Sequence, residues 1–106
     1  ITEKIIKDYP ETTAIIYPDD VSALVAIHKL RELGKKVPKD ISVAGFDGAI
    51  FSKYLTHPLT TMRQDTNKIG TALAKTLIET IKDPQGGRRI VEFDAELFKG
   101  RTVAKI

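Results

Sequence analysis

The sequence predicts an α/β fold, a parallel sheet flanked by helices. Three observations carry that prediction. Short apolar runs rich in β-branched residues, Thr13 to Tyr17 and Ile41 to Phe46, are each bounded by turn-forming residues. Between them, Val21 to Leu33 shows the periodicity of an amphipathic helix. The order is strand, helix, strand, then short strand, helix, strand. That is the order of βαβ units, whose right-handed crossovers lay helices over the sheet faces.

The elements follow in order. Residues 2–8 read as the tail of a helix ended by Pro10. Ile15, Ile16 and Tyr17 form the heart of the first strand, between Pro10 and Pro18. Asp19 or Asp20 then accepts from the free N–H groups that open a helix. In that helix Val21, Leu24, Val25 and His28 make the seam, and Ala23, Ile27, Leu30 and Leu33 widen it. Gly34 suits the left-handed position just past its end. Lys35 to Asp40 is a charged turn around Pro38. Ile41 to Phe46 lacks polar alternation, so both its faces are expected to be covered. Asp47-Gly48 ends it, Ile50 to Leu55 reads as a helical turn, and His57-Pro58 returns the chain to an extended form. Leu59 to Met62 is the third strand. Asp65 or Thr66 caps a helix from Asn67 to Ile81, with Ile69, Leu73, Leu77 and Ile81 as its seam. After a turn over Asp83 to Gly87, Arg89 to Phe93 and Glu96 to Lys99 are strand candidates. The chain shows no internal repeat and no low-complexity segment.

Composition narrows the class. A chain of 106 residues is one domain or part of one. Hydrophobic content of 42% and charged content of 29% are ordinary for a globular protein. The net charge of +3 comes from 17 basic residues scattered among 14 acidic ones, so it does not single out nucleic acid or membrane as a partner. With no cysteine, the chain has no disulfide, zinc–thiolate site or thiol nucleophile, which fits the cytoplasm. Its apolar stretches are too short to span a bilayer and no signal peptide is visible. It starts at Ile1, within a helical pattern, as a truncated or processed product would.

Candidate chemistry gathers at one edge. In open parallel sheets, ligands bind beyond the C-terminal ends of the strands. Those ends carry Tyr17-Pro18-Asp19-Asp20, Phe46-Asp47-Gly48 and Arg63-Gln64-Asp65. Carboxylates accept paired hydrogen bonds from vicinal hydroxyls, and Gln both donates and accepts, which suits a sugar or another polyol. Taken singly, each acid reads as a cap or a turn residue, and only their joint placement points to a site. The same acids would suit Mg²⁺-dependent phosphoryl transfer. That reading lacks a Lys after a later strand, and it puts Thr60 and Thr61 at the wrong end of theirs. His28 and His57 do not make a metal pair, and the lysines near 35–39 form a solvated turn. No P-loop and no nucleophile elbow is present. No catalytic residue, metal or cofactor is therefore assigned, and the chain is not read as an enzyme.

The run Val37-Pro38-Lys39-Asp40-Ile41-Ser42-Val43-Ala44-Gly45-Phe46-Asp47 resembles a signature of the lactose-repressor/galactose-repressor (LacI/GalR) family. Pro58-Leu59-Thr60-Thr61-Met62-Arg63-Gln64 resembles its companion, and Asp19-Asp20 followed by Ser22-Ala23-Leu24 matches the polar pair upstream. The resemblance covers residues from about 12 to 103. It implies part of a two-lobed effector domain, similar to type I periplasmic sugar-binding proteins. It also implies a homodimer that meets operator DNA through an N-terminal headpiece absent from these residues. Ligand binding would change the angle between the lobes and so the DNA affinity.

By resemblance, the effector is a sugar or sugar-phosphate. Asp47 falls on the family's effector-contacting Asp, and Asp19 stands where an Asn is frequent. Gly48 replaces a common second acid, Gln64 matches a Gln near the hinge, and Thr66 stands where an aromatic is sometimes found. The ligand-binding expectations are Asp47, Asp19, Gln64 and Tyr17. Leu24, His28, Phe51 and Leu55 are the expected dimer contacts. Residues 1–59 would belong mainly to the C-terminal lobe, 60–88 to the crossover strand and a helix of the N-terminal lobe, and 89–106 to return strands. The helix from Asn67 to Ile81 would then fold back onto the sheet or pack on another chain. A secreted sugar-binding transport protein is the competing reading, and a signal peptide in place of a helix-turn-helix headpiece would mark it.

Overall fold

The structure, a computed structural model, describes residues 1–105. Its elements are α1 (Thr2–Asp8), β1 (Ala14–Ile16), α2 (Asp20–Glu32), β2 (Ser42–Asp47), a 3-10 turn (Ile50–Tyr54), β3 (Thr60–Arg63), α3 (Thr66–Lys82) and β4 (Glu96–Phe98). They fall into two units, residues 1–63 with those from Glu96 onward, and Gln64–Ala95.

The first unit holds a four-stranded sheet in the order β1-β2-β3-β4. β1 and β3 both run parallel to β2, with Ile15 beside Val43 and Thr61 beside Gly45. β4 closes the sheet antiparallel to β3, placing Phe98 opposite Thr61. The sheet is thus parallel with one antiparallel edge strand, a common arrangement in α/β folds.

α2 is the helix that covers β2. Asp19 opens it, accepting from the Ser22 amide at 2.7 Å. Gly34, with φ of 74°, stops it: the Gly34 amide donates to Arg31 and the Lys35 amide to Leu30. That pair of bonds is the Schellman closure, which needs a left-handed residue at the turn. The buried face differs from the one expected. It is Ala23, Ala26, Ile27 and Leu30, whereas Val21, Val25 and His28 are exposed. Both faces carry helical spacing. The alanines let the helix axis come close to the sheet, which the bulkier valines do not.

Leu30, Ile41, Val43 and Leu59 are the largest fully buried apolar residues of this core, which also includes Tyr17, Ala23, Ala26 and Ile27. Burying a Leu, Ile or Val side chain contributes about 1.5–3 kcal/mol. The chain after β4 is stitched between two strands. Thr102 Oγ1 donates to the Val43 carbonyl at 2.7 Å and accepts from the Thr60 amide at 2.9 Å. Gly100 lies so close to the Pro58 carbonyl that no Cβ fits there.

In the second unit Asp65 caps α3, accepting from the Lys68 amide at 3.0 Å. The seam expected to be covered is open within this chain: Leu73, Leu77 and Ile81 are 66%, 61% and 69% exposed. The expected strand over Arg89 to Phe93 does not form. A strand needs a partner for its N–H and C=O groups. Among the described residues of this unit no other strand exists to supply one. Arg89 instead pairs its guanidinium with Glu79 on α3.

Candidate functional site

Because β1, β2 and β3 run parallel, their C-terminal ends share one edge of the sheet. Asp47 is the last residue of β2 and is exposed there, beside Arg63 in the register. Its φ of 100° is rare for a side chain with a Cβ. Gly48 follows in a left-handed conformation of its own, φ 67°, and a Cβ on it would lie 2.6 Å from Arg63 Cγ. The Arg63 side chain fills that space, and its guanidinium sits 4.8 Å from the Phe98 ring centre. Strained backbone of this kind persists only where surrounding contacts hold it, and it clusters at ligand clamps.

Asp19 reaches the same edge from the end of β1. Its two oxygens accept from the Ser22 amide and the Ser22 hydroxyl, both at 2.7 Å. The amide bond first, and the hydroxyl bond second, hold the carboxyl below its ordinary range. A carboxylate has about four acceptor positions, so Asp19 can cap the helix and still receive a ligand hydroxyl.

Asp20 is different in kind. It is 1% exposed and spends its oxygens inside the chain. Oδ1 accepts from Thr61 Oγ1 at 2.6 Å, and Oδ2 accepts from the Ala49 amide at 2.6 Å. Thr61 Oγ1 in turn accepts from the Gly48 amide at 3.2 Å. From sequence, Thr61 sits at the wrong end of its strand for this edge. In the structure β3 begins at Thr60, opposite Ala44, so Thr61 faces only the last part of β2 and reaches the loop beyond it.

Of the four ligand residues expected, Asp19 and Asp47 stand at the shared edge. Gln64 directly follows β3 and opens the second unit. Tyr17 belongs to the core instead: it is 8% exposed and its hydroxyl is hydrogen-bonded to Thr2 on α1 at 2.9 Å. A bulky apolar ring one residue past a short strand has α1 to pack against, and this draws it inward. Asp20 and Thr61 carry no such expectation, and the signal for them is Gly45, whose missing Cβ leaves room for the Asp20 carboxylate. Among the described residues no group of three or more His, Asp or Glu could hold a metal ion.

Further exposed and half-buried apolar residues lie on α2, on the 3-10 turn and just after that turn. Leu24, His28 and Leu55 help line a cavity of about 150 Å³. Leu24 and Leu55 are half-buried, while His28 and Phe51 are exposed. His28 Nε2 lies 3.2 Å from Glu32. None of these four side chains is buried within the chain, and Val21, Val25, Ile50 and Tyr54 add exposed apolar surface on the same elements.

Comparison with known proteins identifies this architecture. A family model described as a periplasmic binding protein-like domain matches residues 2–103. The HTH-type transcriptional repressor PurR of Aliivibrio salmonicida is 36% identical over 104 residues, 98% of this chain and 31% of the repressor. The lac repressor dimer bound to operator and the anti-inducer ONPF superposes with a TM-score of 0.85 at 28% identity, covering 98% of this chain and 36% of that one. A LacI family transcriptional regulator from Enterococcus faecalis V583 with bound ribose gives 0.85 at 27% identity, covering 99% and 40%. The chain thus spans about a third of the length of the curated relatives it matches.

Proposed function

The chain belongs to the periplasmic binding protein-like family, as a segment of a LacI/GalR effector-binding domain, and from that premise we propose that it senses a sugar for a DNA-binding transcriptional repressor. The observation that carries the proposal is Asp47, an exposed carboxylate in a left-handed backbone conformation where the strand ends meet. The bound ribose of the Enterococcus faecalis regulator supports a sugar or sugar-phosphate ligand. Asp47 and Asp19 receive its hydroxyls, and Gln64 is the further ligand residue of this reading.

Operator contact falls to a helix-turn-helix headpiece outside these residues, which places the protein in the cytoplasm with the DNA. In this reading residues 1–59 belong mainly to the C-terminal lobe, 60–88 to the crossover strand and a helix of the N-terminal lobe, and 89–106 to the return strands. Leu24, His28, Phe51 and Leu55 meet their symmetry mates in a homodimer, since an isologous contact needs one self-complementary apolar patch. No reaction is assigned, and the relatives support a regulator rather than a secreted transport protein. No helix is long and apolar enough to cross a membrane among the described residues.

Titration calorimetry of the intact protein with a panel of aldopentoses and aldohexoses, ribose among them, tests the proposal. One-site binding by a panel member is expected. If no sugar in the panel binds, the ligand class is wrong.

A further inference from the structure

We infer that Asp20 and Thr61 are positioning residues, which hold the loop after β2 so that Asp47 keeps its left-handed backbone and presents its carboxylate. The inference rests on the proposed effector reading for the purpose of Asp47. The clamp itself stands on the geometry of this chain.

Asp47 has a φ of 100° and carries a Cβ, so its conformation is costly unless something fixes it. The two residues after it are fixed through their amides. The Ala49 amide donates to Asp20 Oδ2 at 2.6 Å. The Gly48 amide donates to Thr61 Oγ1 at 3.2 Å, and that hydroxyl donates onward to Asp20 Oδ1 at 2.6 Å. One carboxylate thus gathers two consecutive backbone amides, one directly and one through a hydroxyl. Bonds to a carboxylate are stronger than those between neutral groups, and a buried one is a stiff anchor.

The anchor is itself built in from three sides. Asp20 is the first residue of α2, so its main chain is part of a helix packed on β2. Gly45 leaves no room for a Cβ beneath it. Thr61 belongs to β3 and is 1% exposed. Neither Asp20 nor Thr61 offers a free face to a ligand, so their contribution to binding passes through the loop. Within the Asp19-Asp20 pair the work is divided: the first acid stays partly exposed at the edge, and the second fixes the loop beside it.

Residue-resolved amide hydrogen exchange and ribose titration in the intact protein test this together. Thr61→Val removes the hydroxyl at nearly constant size, Thr61→Ser keeps it, and Asp20→Asn keeps the shape while giving up one acceptor. Thr61→Val should speed exchange at Gly48 about tenfold, the effect of one lost hydrogen bond, and should weaken ribose binding. Thr61→Ser should restore both. Should Thr61→Val fail to fold, Asp20→Asn carries the test, with faster exchange at Ala49 or Gly48 expected.

Unchanged exchange at Gly48 and Ala49 in folded Thr61→Val and Asp20→Asn overturns the clamp. Faster exchange with unchanged ribose affinity overturns its positioning role. Failure of the effector reading is separately visible: ribose then binds Asp47→Ala as it binds the parent protein, or binds neither, while the exchange arm still decides whether the clamp exists.

Discussion

Gly45 of β2 lies against the Asp20 carboxylate so closely that the strand has no space for a Cβ at that point. Gly45→Ala should therefore push Asp20 off its loop contacts and cost about 1–3 kcal/mol, the range for forcing a methyl into a packed site. Gly34 is the control. It has nothing within 4 Å of an added Cβ but a φ of 74°, so Gly34→Ala should cost only the conformational penalty, about 1–2 kcal/mol. Urea denaturation of both variants checks this, and only Gly45→Ala should alter the amide signals of Gly48 and Ala49.

The two units should respond differently to loss of a leucine. Leu30 is fully buried on α2, and Leu30→Ala should cost about 2–5 kcal/mol. Leu73 on α3 is 66% exposed, and Leu73→Ala in this chain alone should stay within about 0.5 kcal/mol. In the intact protein, where the proposed lobe assignment has the α3 seam packed on the rest of its lobe, the same substitution should cost as much as a core change. Thermal melts of the short and the intact chain make the comparison.

Much of the fold is legible in the sequence because local chemistry repeats it. Proline boundaries, Asp caps and Gly34 place α1, β1 and α2 to within a residue or two of where they lie. The buried face of α2 is harder to read, because two apolar stripes share it and the choice between them depends on how near the sheet comes. The Arg89 to Phe93 run has strand composition, but pairing is a tertiary event that composition does not supply. At the site, the edge placement of Asp19 and Asp47 follows from strand order. The inward turn of Tyr17 depends on its bond to Thr2, 15 positions away, and the Asp20–Thr61 bond spans 41.

Acid should weaken the first unit partly through Asp19. The folded carboxyl titrates below its ordinary value of 3.8 because the Ser22 amide and hydroxyl favour its charged form. A group depressed in the folded state adds stability that is fully present above its unfolded value and is lost as pH falls through the folded one. The loss should therefore begin near pH 3.8 and continue below it. Asp19→Asn retains a good cap but cannot titrate, so its stability should fall less steeply over that window. Denaturation midpoints between about pH 5 and pH 2 check the slope. Asp65, depressed chiefly by the Lys68 amide, should give the same result in α3.

Phe51 is 40% exposed on the 3-10 turn, and α2 exposes Val21 and Val25. In the proposed homodimer a charge there would meet its own copy across the two-fold axis. Phe51→Glu should shift the intact protein from dimer toward monomer in sedimentation velocity while leaving its far-ultraviolet circular dichroism unchanged. A dimer that withstands Phe51→Glu and His28→Glu together would place the interface elsewhere.

In the proposed function a sugar held by Asp47 sets the affinity of a repressor for its operator. The direct measurement is operator binding by the intact protein, with and without the panel sugar that binds it, in parent and Asp47→Ala forms at fixed salt. Coupled sites of this kind change each other's affinity about 5–150-fold. The parent protein should show such a change. In Asp47→Ala the sugar should bind about 1.5–3 kcal/mol more weakly, the range for a hydrogen bond to a charged group, so the response needs correspondingly more sugar. An operator affinity indifferent to a bound sugar, or the same response at the same sugar concentration in Asp47→Ala, would contradict it.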